Sequence, residues 1–306
     1  MSEEMLYGGI EAGGTKFICA VASNPPQLIN EIQFATTTPE KTLGKVRDFF
    51  LPYVKDNRMK SLGIASFGPV DADINSPTYG FITATPKPNW KNTDFLGFLK
   101  NDFDVPFAFH HDVSASGVGE MTWGASMGID PSLYITIGTG IGGGYILDGK
   151  PLTGLSALEM GHIFIPHDLQ RDPFIGNCPY HKDCFEGLAS GPAIEARMGA
   201  RGETLPDDDP FWEMEAEYIA YALVNHILTL SPRIIVVGGG IMQRNFLFPL
   251  IRKQVKAILN GYLKFEVLMK GIDRYIVPPS LGKYSGVLGA IAMAMECEVS
   301  SKSIVL

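Results

Sequence analysis

The sequence predicts an α/β protein made of two related halves. One device occurs twice: a strand, a glycine turn and a second strand, at Leu6–Val21 and again at Leu133–Leu147. Around these hairpins, short apolar runs alternate with helical patterns, the order that builds α/β layers. The length, 306 residues of which 45% are hydrophobic, is enough for a large core and for two domains rather than one.

The elements follow in order. Leu6-Tyr7-Gly8-Gly9-Ile10-Glu11-Ala12 leads into the turn Gly13-Gly14-Thr15-Lys16. β-Branched and aromatic residues flank the glycines, a hairpin signature. Glycines without a Cβ let N–H groups approach a phosphate closely, and Thr15 adds a hydroxyl donor. A helix comes next, with Thr38 as N-cap and Pro39 at its first position, ending near Phe50 ahead of Pro52. Ser61–Phe67 is a short buried strand that runs into Gly68-Pro69-Val70, and a loop rich in Pro, Thr and Asn covers residues 75–92. Asp94 caps a helix to about Asn101; Val105–His111 is a strand ending at Asp112, and residues 114–122 form a helix.

The second half opens with the second hairpin, whose turn is Gly138-Thr139-Gly140. Residues 148–190 read as a loop-rich insertion holding His162, His167, His181, Cys178 and Cys184. A long helix from about Phe211 to Leu230 places Tyr218, Ile219, Ala222, Leu223, Ile227 and Leu230 at helical period, and Pro232 stops it. Arg233–Val237 is a buried strand that enters Gly238-Gly239-Gly240; helices at about 245–259 and 285–296 close the chain.

Composition narrows the function. The formal charge is −8 with no Lys/Arg cluster, a poor match to nucleic acid. Local amides and a metal still suffice to hold ATP. Neither a Walker A loop nor a G-x-G-x-x-G dinucleotide fingerprint is present. The start, Met1-Ser2-Glu3-Glu4, is not a signal peptide, and the longest apolar run, Val287–Met295, is too short for a bilayer. The expectation is a soluble cytoplasmic protein without a membrane partner. Four cysteines make no disulfide framework in a chain of this size, and Cys19 and Cys297 read as buried or inert thiols.

Four places can carry chemistry. Asp112, at the end of a buried strand and before a helix, is either a general base or a helix N-cap. Glu159 and His162, with a glycine between them, can converge on one small ligand. Cys178, His181 and Cys184 form C-x2-H-x2-C; with His162 or His167 they supply the four N/S donors of a structural zinc, the alternative being free thiols and a surface histidine. The turn Gly238-Gly239-Gly240 is either a nucleotide approach or a turn needing positive φ. His110 and His226 read as structural.

Taken in order, Gly13-Gly14-Thr15-Lys16, Asp112, Gly138-Thr139-Gly140-Ile141-Gly142, Glu159-x-Gly-His162, the cysteine cluster followed by Glu186, and Gly238-Gly239-Gly240 resemble the ROK family of sugar kinases and repressors. The wording Gly9–Phe17 and Cys178-Pro179-Tyr180-His181 resembles its bacterial fructokinase branch. The resemblance runs from about Tyr7 to about Met295. It implies a two-domain actin-like ATPase (ribonuclease H-like) fold with a zinc-bearing loop insertion. One domain would span residues 1–115, completed by the helix 285–306, and the other 116–284, with the zinc-binding insertion at 148–190.

The same resemblance implies an ATP-dependent hexose kinase, with fructose foremost and Mg2+ carried with ATP. Asp112 would be the catalytic base, and Lys87, Glu159, His162 and Glu186 would contact the sugar. Gly13, Gly14, Thr15, Lys16, Thr139, Gly140, Gly238, Gly239 and Gly240 would bind ATP. His162, Cys178, His181 and Cys184 would hold a structural Zn2+, and a homodimer is the implied assembly. Alternatives are a mannokinase, glucokinase or amino-sugar kinase, or a non-catalytic sugar-sensing member. The latter carries a DNA-binding domain ahead of the first hairpin, which here begins by Gly8.

Four positions depart from the family pattern. Glu11 stands where Asp is usual, which bears on how Mg2+ is held. Lys87 follows Thr85-Pro86 where glucose-specific members have Asn, which argues against glucose. His111 replaces the usual Asn before the base. Two cysteines plus His181 replace three cysteines, and imidazole serves zinc equally well.

Overall fold

The computed structural model describes residues 5–303. The acidic start, residues 1–4, and the last residues of the expected C-terminal helix, 304–306, lie outside the described residues. Ahead of the midpoint run β1 (Leu6–Ala12), β2 (Lys16–Asn24), β3 (Gln27–Ala35), α1 (Pro39–Lys55), β4 (Met59–Ser66), β5 (Phe81–Ile82), β6 (Thr93–Asp94), α2 (Phe95–Lys100), β7 (Phe107–His111) and α3 (Asp112–Trp123). Then come β8 (Ser132–Ile137), β9 (Ile141–Leu147), β10 (Lys150–Pro151), α4 (Phe185–Ala189), α5 (Gly191–Met198), α6 (Phe211–Leu230), β11 (Ile234–Gly238), α7 (Leu247–Leu259), α8 (Glu266–Met269), α9 (Ile272–Tyr275), β12 (Ile276–Val277) and α10 (Ser285–Ser303).

Two compact units divide the chain. The first takes everything up to Gly128, with Gly149–Leu158 and the segment from Ser280 onward; the second is Ile129–Asp148 with Glu159–Pro279. The expected boundary after residue 115 falls inside α3, whose hydrogen-bonded turns continue to Trp123. The division comes after α3 because α3 packs along α10, and Gly289 makes that approach close: a Cβ there would collide with the carbonyl oxygen of Ala115. Within the expected insertion, Gly149–Leu158 also belongs to the first unit.

In the first unit the strands run in the order β3-β2-β1-β4-β7. β1 pairs antiparallel with β2 and parallel with β4, and β4 pairs parallel with β7. Apolar residues fill both faces. Ile10, Phe17, Val46, Phe50, Leu62, Trp90 and Phe95 make one core layer under α1 and α2. Ile18, Ala20 and Ala22 meet Val287, Leu288 and Ile291 of α10 in the other.

β3 is an addition to the sequence reading, which passes from the first hairpin straight to a helix. Its side chains are largely exposed, so it has no buried apolar face to mark it. α1 also continues through Pro52 to Lys55.

The second unit repeats the topology in the order β9-β8-β11-β12, an antiparallel hairpin followed by two parallel steps. Ile234–Gly238 is fully buried, as its unbroken apolar run requires. α6 and α7 pack together; α6 ends at Leu230 with Ser231 in the left-handed region, ahead of Pro232. No described helix is long and apolar enough to cross a membrane.

Candidate active site

In the first unit, β1 and β2 close on the turn Gly13-Gly14-Thr15. Gly13 N–H donates to the Lys16 carbonyl at 2.9 Å, and Thr36 Oγ1 donates to the Gly13 carbonyl at 2.7 Å. Thr15 and Lys16 are exposed, and a Cβ on Gly14 would meet nothing within 4 Å, so the turn presents backbone to open space. Glu11 stands next to last on β1. Its Oε2 is buried with no hydrogen-bond partner. Burial pushes its carboxyl up to about 7, and the Asp112 charge adds to this; Lys16 and the Val287 N–H act the other way.

Asp112 is the first residue of α3, so its charge sits at the positive end of the helix dipole. Its Oδ1 accepts the Val113 N–H at 2.8 Å, and Ser116 Oγ donates to its carbonyl at 3.0 Å. The N-cap role of the sequence reading belongs instead to His111, which carries no side-chain cap bond. Lys87 lies half-buried in a turn where its N–H donates to Thr85 Oγ1 at 3.3 Å.

In the second unit, β8 and β9 close on Gly138-Thr139-Gly140. Gly138 N–H donates to the Gly140 carbonyl at 2.9 Å, and Thr139 is exposed. The turn after β11 comes alongside: a Cβ on Gly138 would lie 3.6 Å from Gly240 N. Gly239 has φ +95°, and a Cβ there would run into the Ile137 backbone, so that position requires glycine. Two of the three expected ATP turns therefore share one corner of this unit.

The same unit gathers Glu159, His162 and Glu186. Gly161 packs directly on the β9 backbone, since a Cβ would collide with the Ile141 carbonyl oxygen. That close approach seats exposed Glu159 and half-buried His162 beside the hairpin, with His162 N–H bonded to the Glu159 carbonyl at 3.0 Å. Glu186 Oε2 accepts the Ile141 N–H at 2.9 Å, while its Oε1 lies 4.0 Å from His162 Nε2.

His162 turns its other nitrogen to the cysteines. Nδ1 lies 3.8 Å from Cys178 Sγ and 3.6 Å from Cys184 Sγ, and Cys178 Sγ is 3.7 Å from His181 Nδ1. All four donor atoms fall within 4.8 Å of one another. Zn–S near 2.3 Å and Zn–N near 2.0 Å in a tetrahedron give an S···N edge of about 3.6 Å, so the set fits zinc. Burial pushes the Cys184 thiol up to about 11, so a thiolate there requires a cation beside it. His167 stands outside this set: Nδ1 meets Asp183 Oδ2 at 3.2 Å and Nε2 the Asp172 carbonyl at 3.1 Å. Among the described residues, the cluster is therefore completed by His162.

A family profile described as the ROK family matches residues 7–297. The chain belongs to the ROK family. A provisionally named fructokinase of Bacillus subtilis (strain 168) is 49% identical over 289 residues, covering 94% of this chain and 95% of that one. The fructokinase of Streptococcus mutans serotype c is 43% identical, covering 94% of this chain and 97% of that one. Among solved structures, the ROK hexokinase of Thermus thermophilus superposes with a TM-score of 0.80 at 23% identity, covering 97% of this chain and 100% of that one. That likeness is one of fold, and it agrees with the actin-like ATPase architecture that the resemblance implies.

Sequence reasoning passed over two buried carboxylates, Glu120 and Glu215. Glu120 is fully buried, and its two oxygens accept from Ala125 N–H, Ser280 N–H, Leu281 N–H and Ser285 Oγ at 2.7–3.0 Å. Glu215 is fully buried on α6 with neither oxygen hydrogen-bonded, and burial raises its carboxyl well above the ordinary range. The only signal for either is an acidic residue on an otherwise apolar helix face.

Proposed function

We infer that this chain is an ATP-dependent fructokinase acting on the 6-hydroxyl of D-fructose. One observation carries the reading: five bacterial relatives named as fructokinases are 43–49% identical over 90–97% of this chain. Asp112 accepts the proton of the sugar hydroxyl as its oxygen bonds to the γ-phosphorus and the bond to the bridging oxygen of ADP breaks. Seating at the start of α3 favours the carboxylate form that this role needs.

Lys87, Glu159, His162 and Glu186 hold the sugar. The amides of Gly13–Lys16 and of the Thr139–Gly140 turn take the phosphates of Mg–ATP, where charge spreads in the transition state. Gly238–Gly240 faces the adenosine. Zinc, when bound by His162, Cys178, His181 and Cys184, locks loops that contribute little apolar core of their own. His162 then serves both sites, one nitrogen to the metal and the other toward Glu186, which fixes its ring as outer-shell partners do.

The test is coupled ADP release with Mg–ATP against fructose, mannose, glucose, N-acetylmannosamine and N-acetylglucosamine. The expected outcome is a kcat/KM for fructose about tenfold or more above the rest, the span that pocket contacts of this kind supply. An amino sugar or glucose leading keeps the kinase and discards fructose. No turnover with any of them discards the kinase.

A further inference from the structure

The histidine ahead of the catalytic carboxylate is built against it. β7 ends at His111 and α3 begins at Asp112, so the strand-to-helix turn brings together side chains that an extended strand would send to opposite faces. His111 Nδ1 lies 3.3 Å from Asp112 Oδ1, and the ring is 13% exposed. That nitrogen is buried and makes no hydrogen bond, so it meets Asp112 at ion-pair distance but outside hydrogen-bond geometry. On the other side the ring lies against Gly68, where a Cβ would stand 2.7 Å from Nε2.

The backbone is fixed as well. His111 N–H donates to His110 Nδ1 at 2.9 Å, which leaves the His110 proton on Nε2, 3.0 Å from Thr153 Oγ1. Burial, with His111 adding to it, pushes His110 down to about 4, so it stays neutral near pH 7. From the neighbouring strands, Glu11 faces the Asp112 charge, and Lys16 faces Glu11. Beside the Val113 N–H and the head of α3, His111 is an ionisable side chain that can favour its charged form.

We propose that His111 is a positioning residue for Asp112. With a proton on Nδ1, its imidazole donates toward Oδ1, holds the carboxylate in place beside the Val113 N–H, and keeps it ionised to receive the sugar proton. A distance of 3.3 Å is long for a charge-assisted bond, and such bonds tighten when substrate is bound. A donor aimed at a carboxylate lowers its pKa, so removing the donor raises it. The proposal rests on the reading of Asp112 as the base of a sugar kinase.

The experiment follows the Asp112 carboxyl carbon by NMR titration in the intact chain, alongside pH profiles of fructose phosphorylation. In His111→Ala the Asp112 midpoint is expected to rise by roughly half a pH unit or more, the acid limb of kcat/KM to move up equally, and kcat to fall about tenfold with KM unchanged. His111→Asn, which keeps an amide donor, restores most of kcat. Gly68→Ala, which pushes on the ring, reproduces the shift in the native chain and is silent in His111→Ala.

An Asp112 midpoint and acid limb that stay put in His111→Ala overturn the proposal. So does a Gly68→Ala effect of equal size in both backgrounds. If His111→Ala does not fold, Gly68→Ala in the native chain carries the same measurement, and an Asp112 midpoint that stays put there overturns the proposal. The carbon titration needs no turnover, so a chain that phosphorylates no hexose sinks the kinase reading while the NMR result still decides the role of His111.

Discussion

Two carboxylates of the first unit face opposite demands. Asp112 must be ionised to act as a base, and its place at the head of α3 and the Val113 N–H favour that state. Glu11, buried with an unpartnered Oε2 and facing the Asp112 charge, is driven the other way. Its longer side chain has room because position 286 is glycine; a Cβ there would stand 2.5 Å from the Glu11 carboxyl carbon. Asp112→Asn should keep the fold and sugar binding and lose roughly 10²–10⁴ in turnover, measured by coupled ADP release; near-normal turnover removes Asp112 from the role.

Glu11 carries a separate prediction. Its folded-state pKa of about 7 exceeds the ordinary value of 4.5, so between those pH values the folded chain holds a proton that the unfolded chain has released. Stability should therefore fall as pH rises from about 4.5 to about 7, by up to about 3 kcal/mol. Urea midpoints of the native chain and of Glu11→Gln, compared across that range, should differ in slope; parallel curves would show that Glu11 is not the cause.

At the scale of elements, the loop that carries the His/Cys cluster and α10 are held by different physics. Residues 160–184 contain short turns and isolated bridges, Phe164 to Cys184 and Cys178 to Lys182, and expose Phe164, Ile175 and Tyr180. Such a segment has little regular structure of its own, and a metal on its four donors would tie it. Metal analysis of purified protein should give about one zinc per chain, and Cys184→Ser should lower it together with the thermal midpoint. Zinc near zero in folded, active protein would end that assignment. α10, by contrast, seats itself on glycines: Gly63 of β4 and Gly289 of α10 each meet backbone where a Cβ would go, and Ser61 Oγ donates to the Ala294 carbonyl at 2.7 Å.

For the molecule as a whole, the first unit is assembled from three separate chain stretches. Glu120 ties two of them. It takes N–H groups from Ala125, near where the chain leaves the unit, and from Ser280 and Leu281, where it returns, 160 and 161 residues away from Glu120. Glu120→Ala would leave these buried donors unpaired and should cost about 3 kcal/mol or more, read as a lower urea midpoint at unchanged m-value. Glu120→Gln, which keeps an acceptor, should cost less; equal midpoints for all three chains would show that the clasp contributes nothing.

Much was legible in the residues alone. The two glycine hairpins, the buried strands Met59–Ser66 and Ile234–Gly238 and the helix Phe211–Leu230 follow from apolar period, turn glycines and Pro232, all local signals. The order of Gly13–Lys16, Asp112, the cysteine cluster and Gly238–Gly240 pointed to the family without any coordinates. β3 was missed because an edge strand with exposed side chains on most of its length has no buried face to imprint a pattern. Tertiary structure alone decided which histidine joins the cysteines, since His167 is the nearer of the two in sequence and only packing gives it to Asp183 and Asp172. It also decided the pairing of His111 with Asp112, the room that Gly286 makes for Glu11, and the clasp of Glu120. Each of these depends on distances across elements, and a chain's local periodicity carries no record of them.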